Sequence, residues 1–283
     1  MLFVTGDSAR EVARARTSGA EVLLLDLEDS VSPAMKAAAR DHVASLLDDA
    51  TQRDWRFFVR INPFDTGLTL GDLAAVVKPG LDGVLVPKAE GAADIARIGH
   101  YLDAFEEKAG MAPLCVKIAA ITTETPAALF TLGSYAPAHP RLVAMTWGAE
   151  DLAAAIGATG NKGGDGAWTE PYRQARSLCL FGAANAGVAP IDTLYADFRD
   201  AEGLERDCRR ARRDGFTGRL AIHPDQVATI NRCFSPSEAE LAEARKVIDA
   251  FAANPDAGTL GSDGKMYDIP HLKAARRTLA ASA

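Results

Sequence analysis

Short apolar runs along the chain alternate with longer stretches in which apolar positions recur every three or four residues. The runs, rich in β-branched residues, predict strands at Leu2–Thr5, Val22–Asp26, Phe57–Ile61, Gly83–Val86, Val116–Ile121, Leu142–Trp147, Val188–Ile191 and Arg219–Ile222. The Ala-rich amphipathic stretches between them predict helices such as Ala9–Ser18, Pro33–Leu47, Gly91–Glu107 and Glu170–Ala186. Continuous apolar runs belong to strands covered on both faces, so the alternation reads as βα units on a parallel sheet. Eight such units fit a closed (β/α)8 barrel, the TIM-barrel class, better than an open sheet. No G-x-G-x-x-G follows any of these strands, which further weakens a dinucleotide-binding fold.

The repeat stops after the eighth strand. Ser235-Pro236-Ser237-Glu238 predicts a helix start, a polar cap followed by proline at the first helical position, and the pattern runs to about Phe251. Asn254–Gly264, rich in Gly, Asp and Asn, predicts a flexible loop. A short segment, Lys265–Asp268, then precedes a final helix from about Pro270. The expected organisation is a (β/α)8 barrel over 1–234 with a C-terminal helical arm over 235–283.

Composition narrows the function. The 283 residues are 48% hydrophobic and 24% charged, ordinary globular proportions. Against 31 basic residues stand 38 acidic ones, a net charge of -7, which argues against nucleic acid or an anionic membrane as partner. Cys115, Cys179, Cys208 and Cys233 form no CxxC pair and read as reduced thiols. The opening MLFVTGD lacks a basic n-region, and no stretch approaches the ~20 apolar residues of a membrane span, so a soluble, cytoplasmic-type protein is expected.

A barrel gathers its chemistry at the C-terminal ends of its strands. Those ends carry Asp26-Leu27-Glu28-Asp29, Arg60-Ile61-Asn62, Pro87-Lys88, Thr122-Thr123-Glu124, Gly148-Ala149-Glu150-Asp151 and His223-Pro224. The excess of acids suits a divalent cation. Pro126 opens a helix and leaves Glu124 at a strand exit, while Asp151 takes the matching place one unit later, after a Gly-Ala step that lets backbone approach a ligand. Two carboxylates completed by water or substrate oxygens make a hard site suited to Mg²⁺. Acids also favour the first turn of a helix, so the residues alone leave metal ligand and helix cap equally open. Arg60, in an apolar strand, reads either as a bidentate clamp on a substrate carboxylate or as a buried partner of Asp26, Glu28 or Asp29. Lys88 reads first as an ion-pair partner, ahead of phosphate binding or a Schiff base. His223 reads first as a loop-holding hydrogen-bonder, ahead of a general base, and Ser30 and Cys115 have no convincing nucleophile partners.

At these motifs the chain resembles the citrate lyase β-subunit-like proteins of the HpcH/HpaI aldolase and citrate lyase superfamily. The likeness runs through LFVTGDSAREVARARTSGAEVLLLDLEDSVSPAMKAAAR, VRIN at 59–62, VPKAE at 86–90, ITTETPAAL at 121–129, WGAEDLAA at 147–154, GFTGRLAIHPDQV at 215–227 and DGKMYDIPHLKAARR at 263–277. It implies a Mg²⁺-dependent carbon–carbon lyase that cleaves or forms a β-hydroxyacyl-CoA thioester of the malyl-, citramalyl- or citryl-CoA type, releasing a 2-keto acid and an acyl-CoA. It also implies a homo-oligomer, a trimer or hexamer, with the C-terminal arm contacting a neighbouring subunit. Carried over residue by residue, the resemblance makes Glu124 and Asp151 the metal ligands. Arg60 becomes the keto-acid clamp, the Gly148 and Ala149 amides further contacts to that acid, and Asp268 the acid/base. Arg10 matches a basic position near the CoA-binding mouth, and Thr5 stands where many relatives have proline. Two rival functions are a CoA-independent aldolase acting on hydroxy-keto acids and a non-catalytic barrel that serves as a binding partner.

Overall fold

The computed structural model describes residues 1–6, 8–48, 53–262 and 265–281. Eight parallel strands pair in chain order: β1 (Leu2–Thr5), β2 (Val22–Asp26), β3 (Arg56–Arg60), β4 (Gly83–Val86), β5 (Lys117–Ile121), β6 (Leu142–Thr146), β7 (Ala189–Asp192) and β8 (Gly218–Arg219). The helices that follow them are α1 (Ala9–Ala15), α2 (Lys36–Asp48), α3 (Thr69–Val76), α4 (Ala92–Lys108), α5 (Pro126–Thr131), α6 (Glu150–Ala155), α7 (Glu170–Ala186), α8 (Ala201–Asp214) and α9 (Pro224–Phe234). Closure is direct: the Phe3 N–H donates to Ala221 O and the Ala221 N–H to Met1 O, both at 2.8 Å. β8 stops two residues in, because only a single bridge at Ala221 meets β1 and the Ile222 amide already donates to Gln226 Oε1 at 2.9 Å.

Alternation along the strands divides the side chains. Leu24, Phe58, Leu85, Ala119, Ile121 and Ala144 form one buried cluster, with Phe3 and Ile191 packed on it. Residues two positions further along, such as Thr5, Asp26 and Arg60, therefore share that face one layer nearer the strand exits. Gly83 marks how full the floor is: a Cβ there would lie 2.4 Å from the Phe58 ring.

The entry side of β5 and β6 rests on an ion pair. Arg141, wholly buried, donates from both terminal nitrogens to the two carboxylate oxygens of Glu106 at 2.6 Å and also pairs with Asp103. Glu106 in turn accepts from the Val116 and Leu114 amides at 2.8 and 3.0 Å. One carboxylate thus joins the end of α4 to the starts of two strands.

The chain divides into two compact units, Met1–Ile230 and Asn231–Ala283, a division that falls within α9. The second contains α10 (Glu238–Ala252), the antiparallel pair β9 (Thr259–Ser262) and β10 (Lys265–Asp268), and α11 (Ile269–Ala280). Its core is Ala244, Val247, Phe251, Tyr267, Leu272 and Ala275. Two sequence expectations change here. The cap of α10 is Ser237, not Ser235, because Ser237 and Glu240 complete a reciprocal capping box. The expected loop over 254–264 contains β9: Leu260 pairs across the ladder with Tyr267 and packs on the small core, so burial overrides its turn-like composition. Asp263 and Gly264 of that stretch lie outside the described residues.

Glu106→Ala leaves the Arg141 guanidinium buried with only a peripheral acid. It is expected to lower unfolding free energy by about 3–5 kcal/mol in urea titrations, with the folded circular-dichroism spectrum unchanged.

Candidate active site

The strand register builds the mouth. Thr5 on β1, Asp26 on β2 and Arg60 on β3 are consecutive partners in one row. Arg60 Nε and one terminal nitrogen donate to the two oxygens of Asp26, each at 2.7 Å, and the other terminal nitrogen lies 2.8 Å from Glu28 Oε2. Asp29 is further off at 3.8 Å, and the guanidinium also sits 4.8 Å from the centre of the Phe3 ring. Burial pushes the Asp26 carboxyl up, but the hydrogen bonds and charge of Arg60 outweigh it and hold the group below its ordinary range. Of the two readings left open for Arg60, the buried ion pair is present.

Three acids, Glu28 again among them, close on Lys88. Its Nζ donates to Glu28 Oε1 at 2.7 Å and lies 3.2 Å from Asp151 Oδ1, while its backbone N–H donates to Glu124 Oε2 at 2.6 Å. Lys88 makes these contacts from a left-handed backbone, φ +50°, which β-carbon crowding normally disfavours. Glu124 is 4% exposed and Asp151 33%. Burial pushes the Glu124 carboxyl from an ordinary 4.5 to about 8; the Lys88 amide opposes this, whereas the neighbouring charges of Glu28 and Asp151 reinforce it. Burial likewise pushes the Glu28 carboxyl up, against the charge of Arg60 and the hydrogen bond from Lys88.

Glycine geometry completes this arrangement. A Cβ on Gly148 would stand 2.9 Å from Glu124 Cγ, so only glycine lets the β6 exit pass that side chain. The Gly148 N–H donates to Thr123 Oγ1 at 3.1 Å, and Ala149 is fully buried at the start of α6. Beyond Arg60, Asn62 donates from its amide and its side chain to Asp72 Oδ2 at 2.8 and 2.7 Å, and Arg40 grips the other oxygen of Asp72. These bonds fix the β3 exit.

Glu28, Glu124 and Asp151 present only carboxylate oxygens, a donor set for a hard divalent cation. Among the described residues no three of His, Cys, Asp or Glu form a ready-made cage. A Mg²⁺ site needs none, since that ion keeps waters and uses one or two protein carboxylates. The crowding of buried Glu124 by the charges of Glu28 and Asp151 fits a site built to receive positive charge.

Other expected residues have quieter surroundings. Asp268 caps α11, accepting from the His271 amide at 3.3 Å and pairing with the His271 ring; that pairing holds its carboxyl below the ordinary range. Arg10 is exposed on α1, and Thr5 Oγ1 donates to Glu11 Oε2 at 2.6 Å. His223 stacks on Phe198 and its Nδ1 accepts from the Asp225 amide at 3.2 Å, the loop-holding role expected of it. Ser30 donates its amide to Asp26, Cys115 lies 3.4 Å from Glu106, and the four cysteines are thiols outside any disulfide. The sequence reading missed Asp192, which ends β7 one residue beyond the predicted strand. Fully buried, it accepts from Trp147 Nε1 and Arg219 at 2.6 Å and from Arg176 at 3.3 Å. The only sequence signal was an acid at the close of an apolar run.

The model of the HpcH/HpaI aldolase/citrate lyase family matches residues 1–224. The chain belongs to that family. An L-malyl-CoA/beta-methylmalyl-CoA lyase of Cereibacter sphaeroides is 33% identical over 97% of this chain and 91% of its own. A (3S)-malyl-CoA thioesterase from the same species is 34% identical over 99% and 93%. Among solved structures, the protein CitE from Mycobacterium tuberculosis, in complex with magnesium, acetoacetate and coenzyme A, superposes with a TM-score of 0.76. It is 32% identical, and the match covers 99% of this chain and 96% of that one.

The raised Glu124 pKa predicts a pH signature in chelator-treated protein. The folded chain binds a proton between about pH 4.5 and 8 that the unfolded chain does not, so this contribution to stability is complete below 4.5 and lost as pH rises through 8. Glu124→Gln should flatten the fall in melting temperature between pH 5 and 8; an unchanged slope would place the titration elsewhere.

Proposed function

We propose that this family member is a Mg²⁺-dependent carbon–carbon lyase that interconverts a β-hydroxyacyl-CoA of the malyl-CoA type with a 2-keto acid and an acyl-CoA. The observation that carries this reading is the convergence of Glu28, Glu124 and Asp151 at the strand exits next to Arg60. It is supported by a lyase and a thioesterase acting on malyl-CoA among the relatives, and by the magnesium, acetoacetate and coenzyme A bound to CitE. Glu124 and Asp151 hold the ion, with Glu28 beside them. Bound there, Mg²⁺ supplies Lewis acidity toward the oxygens of the keto acid or of the β-hydroxyl.

The chain's own residues do the rest. Arg60 meets the substrate carboxylate. A guanidinium carries five N–H donors, and its contacts with Asp26 and Glu28 engage each nitrogen once, so donors remain for a second partner. Its pairing with Asp26 fixes the fork before substrate arrives. Gly148 and Ala149 line the carboxylate end, and exposed Arg10 meets the phosphates of CoA. Asp268 is the acid/base. In cleavage the hydroxyl passes its proton to the Asp268 carboxylate, the carbon–carbon bond breaks to a keto acid and a thioester enolate, and Asp268 hands that proton to the enolate α-carbon; in synthesis it removes one from the acyl-CoA methyl group and returns it to the new hydroxyl. Its depressed pKa keeps it ionised, the form needed for proton removal. The enzyme acts as a cytoplasmic homo-oligomer in which the 231–283 unit of one subunit serves a neighbour. No helix of the described residues is long and apolar enough to cross a membrane.

The deciding experiment is turnover of a malyl-, citramalyl- and citryl-CoA panel with and without Mg²⁺. Cleavage to keto acid and acyl-CoA is expected, abolished by chelation and by Glu124→Ala or Asp151→Ala. Release of free CoA with the hydroxy acid left intact would make it a thioesterase, and activity on CoA-free hydroxy-keto acids an aldolase.

Asp268→Asn is expected to lower turnover by about 10²–10⁴-fold with Mg²⁺ affinity unchanged. Mixed oligomers of Asp268→Asn and Glu124→Ala subunits should regain activity. No recovery in verified mixtures would overturn sharing between subunits.

A further inference from the structure

Lys88 is the residue whose surroundings the reaction does not use. Its side chain spans Glu28 and Asp151, its amide holds Glu124, and its backbone takes φ +50° to do both. Leu114 is the one other non-glycine residue with positive φ among those described. An ordinary surface ion pair does not require that backbone. Three carboxylates at one strand-exit cluster repel one another unless a cation sits among them, and Lys88 Nζ is the positive charge that touches two of them. Arg60 is already committed to Asp26 and Glu28.

We propose that the Lys88 ammonium is a built-in placeholder for the divalent cation. It neutralises Glu28 and Asp151 in the metal-free protein and leaves Asp151 when the ion binds. This rests on the metal-site reading above. The chemistry of the side chain suits exchange: an ammonium is a point charge on a flexible four-carbon stem, with no planar fork to lock it in place. The two partners differ in the same sense. Glu28 is buried and holds Nζ at 2.7 Å, whereas Asp151 is partly exposed and holds it at 3.2 Å. The exchange therefore opens at Asp151, the ligand that faces water, while Lys88 keeps Glu28. Metal affinity then carries the cost of displacing Lys88, so the apparent Kd is the intrinsic one divided by the fraction of metal-free molecules in which the amine has moved.

A placeholder and a positioning residue predict opposite signs. Titration calorimetry with Mg²⁺ alone, no substrate present, should show Lys88→Met binding at least tenfold more tightly than wild type. The variant's melting temperature should be lower in chelator and rise more on Mg²⁺ addition. Weaker or unchanged binding in Lys88→Met overturns the placeholder. A measurement on wild type needs no variant to fold: saturating Mg²⁺ should increase modification of Lys88 by an amine-reactive reagent, read by mass spectrometry, and no increase overturns displacement. Asp151→Asn separates the two ideas. If wild type binds Mg²⁺ and Asp151→Asn does not, the metal site stands whatever Lys88 does. If wild type does not bind Mg²⁺, the metal reading fails and the placeholder with it.

Discussion

Four carboxylates, Asp26, Glu28, Glu124 and Asp151, meet around two cations, Arg60 and Lys88, at the exits of parallel strands. That imbalance in a buried setting governs the rest of the site. Arg60 satisfies the deepest acid, Asp26, and stays paired because both partners are almost wholly buried; separating them would strand an uncompensated charge. Lys88 Nζ spreads a single charge over two of the remaining three, Glu28 and Asp151. Glu124 receives only the Lys88 amide N–H, and burial together with the charges of Glu28 and Asp151 raises its affinity for a proton against that bond. A divalent cation relieves this deficit better than a proton does, since it neutralises two carboxylates at once. Gly148 and the Thr123 hydroxyl exist in the same economy of space, because the β6 exit must pass within contact of the Glu124 side chain.

The barrel was legible because its two periodicities were unmixed. Apolar runs such as Val22–Asp26 and Gly83–Val86 coincide with strands end to end, and Glu170–Ala186 is helical over its predicted length. Boundaries moved where a local bond outcompeted composition: Ser237 took the helix cap through Glu240, and Leu260 drew a turn-like stretch into a hairpin by packing. The mouth was legible as a list of residues at strand ends but not as a set of pairings. Arg60 had two open readings, and register decided for Asp26, the residue directly beside it on β2. Nothing in the one-dimensional pattern places Lys88 between Glu28 and Asp151, because 60 residues separate Lys88 from Glu28 along the chain. Asp192 escaped for a simpler reason: its strand runs one residue longer than its apolar run.

The charge pattern also orders the proposed chemistry. A 2-keto acid is an anion, and without an added cation it would approach an acid-rich mouth whose positive groups are already engaged. Arg60 offers it spare donors, but from beside Asp26 and Glu28, whose charges oppose a third carboxylate. In the proposed reaction a divalent cation would enter first and reverse the local sign, after which the fork of Arg60 would add direction rather than merely charge. In the proposed reaction the mouth and Asp268 need opposite poise. An acid/base embedded beside Glu28 and Glu124 would share their raised proton affinity and sit protonated when a base is needed. Asp268, held ionised by His271 at the start of α11, has the opposite poise. Metal binding wants crowded carboxylates and proton abstraction from carbon wants an isolated one, so the two functions are better carried on separate parts of the chain.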